Sequence, residues 1–274
     1  NGNSQDRYFE LHNALYHEYK TFIYDSAFAY AQKLIETSHR LGDKSKIGYS
    51  RVKLGFILIS SGMFKETFDS LTAAPVSYMA DTTRVEYYSI MARAYYDLGT
   101  YSNDRYYQST YAALANLYMD SAKHLSKPDS YDYLYLSGLQ NLKNNRLQEA
   151  LSYLKQVLKK FTLTPQKQAV NYHNLSYIYN SLGETDKAIE FMVYAALADL
   201  QVATKETAAV DHPLHQHFRQ TWKDVSRPWL DWGDKVAHQS RASVSHRGPM
   251  GPTTPALLIR RSTWPTRRRR SATA

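Results

Sequence analysis

Two clusters of side chains in this sequence are chemically conspicuous, and both lie toward its C-terminal end. Asp211, His212, His215 and His217 bring together residue types that bind transition metals. Their spacings of three and two converge only in a loop or a distorted turn, because on a helix His212 and His215 share a face that His217 leaves. Pro213 stands inside the cluster, so no metal site is expected there. Arg267 to Arg270, with Arg260 and Arg261 nearby, could neutralise phosphates in a salt-sensitive way. Nothing aromatic or helical organises that run, so any nucleic-acid affinity would be non-specific.

The rest of the chain offers no catalytic arrangement. It has no Gly-rich phosphate loop, no His-Glu-x-x-His pair and no nucleophile elbow. It has no cysteine, which excludes disulfide frameworks, thiolate-ligated zinc, iron–sulfur clusters and thiol catalysis. Asn174-Leu175-Ser176 matches a glycosylation sequon in form, but Leu175 and Ser176 fall at packing positions. The expectation is a protein that is not an enzyme and uses no cofactor or metal.

The distribution of charge divides the chain. Over its 274 residues, 34 Lys and Arg oppose 25 Asp and Glu, a formal charge of +9. Residues 1–210 hold 22 basic and 21 acidic side chains, whereas residues 211–274 hold 12 and 4. All 24 Tyr precede residue 211, while the four Trp (Trp222, Trp229, Trp232, Trp264) and six of the nine Pro follow it. Two kinds of sequence therefore meet near Val210. The first is almost neutral and rich enough in aromatic and aliphatic residues to bury a large core. Its best apolar run, Leu54 to Ile59, is far shorter than the roughly 18–20 residues a membrane helix needs. Residues 1–20 carry no basic-then-apolar export signal.

What must position any binding groups in residues 1–210 is an internal repeat. Leu175-Ser176, Tyr179, Gly183, Ala188, Met192 and Ala195 describe a helical hairpin. Small residues at Ser176 and Ala188 let two antiparallel helices approach, Leu175, Tyr179 and Met192 fill the layer between them, and Gly183 turns the chain. Leu54-Gly55, Leu58, Gly62, Thr67 and Leu71 form another copy, with Phe64 packing after the turn. Leu134, Gly138, Asn145, Ala150, Leu154 and Val157 form a further one, ended at Pro165. Met91-Ala92, Tyr95 and Leu98-Gly99 open the third unit, whose second helix carries Tyr111, Leu114, Leu117 and Tyr118. A divergent first copy runs through Leu15-Tyr16, Tyr19, Ala27, Ala31 and Leu34. Phase marks at Tyr16, Gly55, Ala92, Gly138 and Ser176 give steps of 39, 37, 46 and 38, so the third unit carries the largest insertion, expected around Ser102 to Tyr107. Gly42, Gly62, Gly99 and Gly183 read as helix stops, and Pro75, Pro128 and Pro165 fall between units.

Residues 8–205 resemble the tetratricopeptide-repeat (TPR) family. The resemblance implies an all-α solenoid of about five antiparallel helix pairs, one period being about 34 residues in the consensus. Leu54 to Glu66, Asp132 to Gly138 and Thr204 to Thr207 are further similar to repeat-bearing regulators of Bacteroidota. Members of that family typically have an export signal, a repeat array, one membrane helix and a C-terminal cytoplasmic portion. The implied location is the periplasmic side of a membrane-anchored protein, with the cytoplasm as the alternative. The membrane helix is expected in full-length relatives, not in this chain, which departs from the pattern after Val210.

In the TPR family the first helix of each pair lines a concave groove where ligands lie. Carried across, the groove positions are Asn13 and His17; Tyr49, Lys53 and Phe56; Ser89, Arg93 and Tyr96; Tyr135 and Leu139; and His173, Asn174, Tyr177 and Asn180. Rings supply contact area, while amides and guanidinium hold backbone carbonyls or carboxylates, which suits a protein or peptide ligand. The function implied is a non-enzymatic interaction scaffold or sensor in a bacterial signalling or transcription-regulatory protein. No specific nucleic-acid binding is expected in residues 1–210. Two alternatives remain open: a carbohydrate- or nutrient-uptake accessory protein that stacks sugars on Tyr49, Tyr96 or Tyr135, and non-specific nucleic-acid binding by the basic tail.

Residues 211–274 lack the hairpin template, and their composition predicts a largely disordered basic tail. Such a stretch is either a genuine extension or the product of an out-of-frame translation, which the coding DNA distinguishes. An array without a polar capping helix leaves the apolar face after Leu200 uncovered unless residues 211–230 cover it, and so predicts self-association.

Overall fold

The computed structural model describes residues 2–21, 23–102 and 105–209. The tail and the Asp211–His217 cluster, together with the basic run at Arg267, lie outside the described residues. Within them the chain is entirely helical, with ten α-helices: α1 (Gly2–Tyr19), α2 (Tyr24–Leu41), α3 (Lys44–Ser60), α4 (Phe64–Thr72), α5 (Asp81–Ser102), α6 (Arg105–Leu125), α7 (Tyr131–Lys143), α8 (Leu147–Lys160), α9 (Pro165–Ser181) and α10 (Thr185–Ala209). A 3-10 turn, Val76–Tyr78, links α4 to α5.

Local chemistry sets the boundaries. Asp43 caps α3 by accepting from the backbone N–H groups of Ser45 and Lys46, and Ser130 caps α7 through Tyr133 N–H. Thr164 caps α9, with Pro165 at the start where its missing N–H costs nothing. The expected turn residues Gly42, Gly62 and Gly183 take φ of 67°, 75° and 78°, and Asn145 stands in for glycine in unit four with φ of 58°. Gly99 corrects the expectation. It does not stop α5 but lies inside it, where an added Cβ would only touch Tyr111.

Helices pair in sequence, α1 with α2 through α9 with α10, and each second helix also packs on the first helix of the next unit. Close approach within pairs uses the small phase residues. A Cβ on Gly55 would lie 2.8 Å from Leu71, and one on Gly138 would lie 2.6 Å from Leu154. Unit one departs from this, because Tyr16 occupies the small-residue place, is buried, and donates its hydroxyl to the Lys53 carbonyl of α3 at 3.1 Å. The extra length of unit three is helical: α5 and α6 have 22 and 21 residues against 13 and 14 in α7 and α8.

Two packing assignments change. The inward stripe of α6 is Ala115, Met119 and Ala122, all buried, while Leu117 points outward. In unit five the layer between helices is filled by Phe191, which stacks on Tyr179 at 5.3 Å, and not by Met192, which is half exposed.

Candidate functional site

Consecutive first helices are stitched together by side chains, and this ladder carries Asn13, His17, Tyr49, Lys53 and Arg93 of the expected groove residues. Between α1 and α3, Tyr49 Oη donates to Asn13 Oδ1 at 2.7 Å, and His17 Nε2 lies 3.2 Å from the same hydroxyl. Since the single phenolic hydrogen goes to Asn13, the oxygen accepts from His17, which fixes Nε2 as the protonated ring nitrogen. Desolvation, reinforced by the cations Lys20 and Lys53, pushes the His17 pKa down to about 4. The Tyr49 hydroxyl is pushed up to about 12, first by desolvation and then by Glu86.

Between α3 and α5, Lys53 forms a bidentate pair with Glu86 at 2.6 and 2.8 Å, and its ammonium sits 4.5 Å from the Tyr49 ring centroid. Its side chain is 8% exposed against 34% for Glu86. Lys53 is therefore an internal strut and not an available groove cation. Arg93 reaches back to Ser60 Oγ at 3.3 Å and along α5 to Asp97 at 3.3 Å, and Lys143 of α7 meets the same Asp97 at 3.4 Å. Between α7 and α9, the Lys167 ammonium lies 3.9 Å from the Tyr131 ring centroid.

The units so joined match known proteins. A family model described as the SusR N-terminal TPR domain matches residues 1–212. The chain belongs to that family. A crystal structure of a thermophilic TPR protein from Thermus thermophilus shares the fold, with a TM-score of 0.54 and 19% identity over 75% of this chain and 98% of that one. A chain of the APC/C hetero-tetramer Cut9–Hcn1 aligns at a TM-score of 0.44 and 17% identity, over 79% of this chain and 40% of that one. No curated protein matches the chain at the sequence level.

Other groove positions of this TPR domain are occupied by its own packing. Tyr96 is buried and donates to Asn116 Oδ1 at 2.8 Å. Asn116 in turn exchanges amide hydrogen bonds with Asn144, at 2.7 and 3.1 Å, and accepts from Gln140, which is tied to Asp120 and Lys123. Sequence reasoning missed this α5–α6–α7 network, because Asn116 sits on a second helix and the insertion in unit three hid its register. Desolvation pushes the hydroxyl of Tyr135 up to about 12, and Asn174 of α9 faces it. Ser89 spends its hydroxyl on the Val85 carbonyl of its own helix. Phe56 packs at the junction of units one to three, and Leu139 against Met119 and Leu136.

The outward-facing set is smaller: His17, Arg93, His173, Tyr177 and Asn180. Tyr177 presents 62% of its surface, and His173 Nε2 lies 3.0 Å from Asp199 of α10. On the second-helix side, the nine-residue α4 leaves a cleft of about 290 Å³ against α2. Its floor is Phe28, Leu54, Leu58 and Met63, and Arg51, Glu66 and Asp69 bring both charges to it. No groove position assigned from the sequence lines it. Among the described residues no group of three His, Asp or Glu is placed to hold a metal, and no helix is long and apolar enough to cross a membrane.

Proposed function

We propose that this domain, whose fold generally mediates protein–protein interactions, binds an extended or helical segment of a partner protein along its first helices, as the non-catalytic recognition module of a Bacteroidota regulator. The single observation that supports this most is the division within the ladder. Lys53, Tyr49 and Tyr96 are spent on holding the units in register, leaving Tyr177 and Asn180 outward, with Arg93 also exposed beside its contacts to Ser60 and Asp97. A guanidinium on unit three, with a ring and an amide on unit five, can contact a peptide at several points, the ring through area and the others through backbone carbonyls or carboxylates. The finer reading places the domain on the periplasmic side of a membrane-anchored protein whose membrane helix belongs to the full-length relatives.

Sugar stacking finds less support. One face of Tyr49 is taken by Lys53, and Tyr96 is buried. A displayed library of random peptides, selected on the full chain, tests the reading. Selected peptides should bind the Arg93→Ala and Tyr177→Ala variants at least about tenfold more weakly, a loss of about 1.4 kcal/mol each. Equal binding to both variants would remove the groove from the proposal.

A further inference from the structure

The cleft between α2 and α4 owes its existence to one short helix. α4 has nine residues, where the other second helices, α2, α6, α8 and α10, have 18, 21, 14 and 25. Part of α3 beside α2 is therefore left uncovered. Arg51, Leu54 and Leu58 follow one another on α3 at steps of three and four, so they share the face that lies at the bottom. Leu54 and Leu58 are buried and make that floor apolar. Phe28 of α2 forms one wall, and Glu66 of α4 stands on the other.

Two opposite charges line this cleft without partners. Arg51 Nε is shielded from solvent and meets no acceptor, and no hydrogen bond or ion pair reaches the rest of the guanidinium from any described residue. A shielded N–H of this kind calls for an acceptor that the described residues do not supply. Ser70 Oγ donates to the Arg51 carbonyl at 3.1 Å, which sets Arg51 level with Ser70 on α4. The neighbouring carboxylate there, Asp69, is taken by Lys65 at 2.5 Å. Glu66 stands four residues earlier, about 6 Å along the axis at 1.5 Å per residue. Its carboxylate has neither a hydrogen bond nor an ion pair with any described residue.

We propose that this cleft binds a free α-amino acid with an apolar side chain, its carboxylate on Arg51, its ammonium on Glu66 and its side chain over Leu54 and Leu58. Such a zwitterion carries both charges on one carbon, and with a charge-assisted hydrogen bond of about 2.8 Å at each it spans a turn of helix. The volume agrees, because about 290 Å³ lies at the small end of ligand pockets, which run from about 300 to 1,000 Å³. A fatty acid leaves Glu66 without a donor and an amine leaves Arg51 without an acceptor. The interior of a peptide has no adjacent pair of backbone charges to offer them. No groove position lines the cleft, so the site stands or falls independently of peptide binding along the first helices.

Isothermal titration calorimetry on the full chain tests the proposal with L-leucine, L-methionine and L-phenylalanine at neutral pH. At least one should bind, and its amide, its N-acetyl form and glycine should each bind at least about tenfold more weakly. Two variants then assign the charges, with far-UV circular dichroism checking that helix content is kept. Arg51→Gln should bind the amino acid and its amide within about twofold of one another while still rejecting the N-acetyl form. Glu66→Gln should do the reverse, accepting the N-acetyl form and still rejecting the amide. If Arg51→Gln loses helix content, Arg51→Met takes its place. No binding of any of the three at millimolar concentration would overturn the proposal. So would a wild type that takes the blocked forms as readily as the free amino acid, or variants that leave the ranking of ligands unchanged.

Discussion

At the residue scale, the instructive pair is Lys53 and Glu86. The two are unequal in exposure, so removing either leaves a different problem. Glu86→Gln strands an ammonium that is almost out of water, whereas Lys53→Met leaves a carboxylate that solvent still reaches. We predict that Glu86→Gln destabilises by about 2 kcal/mol and Lys53→Met by clearly less, measured by urea unfolding. Equal losses would mean that Lys53 is better hydrated than its burial indicates. Tyr16 works in a similar way, because a ring where other units have Gly, Ala or Ser reaches across to the Lys53 carbonyl and ties unit one to unit two.

At the element scale, the two helix-interior glycines of α5 and α7 answer differently to the same substitution. Gly138 lies under Leu154, which an added Cβ would approach to 2.6 Å, so Gly138→Ala must push α8 away from α7. The expected loss is about 2 kcal/mol by thermal or urea unfolding. Gly99 has room, with its nearest contact to Tyr111 at 3.4 Å, and α5 continues past it. Gly99→Ala should therefore be neutral or stabilise by up to about 1 kcal/mol through helix propensity alone. A turn role for Gly99, as its Leu-Gly spacing implied, would instead make the alanine costly.

At the scale of the whole domain, stability in a repeat array is a sum of unit and junction contributions, and the ends open first. Unit one adds a pH dependence to this. Both of its first-helix histidines, His12 and His17, have lowered pKa values, with desolvation the leading cause in each. A histidine lowered from 6.5 to about 4 stays neutral in the fold while the unfolded chain already takes up a proton. Its contribution is complete above 6.5 and is lost as pH falls toward 4. Acidification should therefore release unit one before the rest, and hydrogen exchange at about pH 4.5 should show α1 and α2 amides losing protection ahead of those in α7 to α9. Uniform loss along the chain, or none, would contradict this.

The repeat units, their order and most of their turns could be read from residue spacing alone. Leu54-Gly55, Gly138 with Ala150, and Leu175-Ser176 mark close helix contacts, and a small residue in that place has few other packing uses. The identity of the layer-filling residue was less legible. Met192 matched the template, but Phe191 turns toward Tyr179 instead. The matching Leu71 and Leu154 lie against Gly55 and Gly138 of their own units, so the rotation of a second helix, which local spacing does not describe, decides which residue is buried. The same limit governs the groove. Helical periodicity places Tyr49, Lys53, Tyr96 and Arg93 on the faces of first helices, and says nothing of whether an adjacent unit satisfies them. Glu86 claims Lys53, Asn116 claims Tyr96, and Ser60 contacts an Arg93 that stays exposed; those partners come from other helices brought alongside by packing. Periodicity along one helix is thus enough to establish a TPR array, whereas the division between struts and free binding groups arises where separate helices meet.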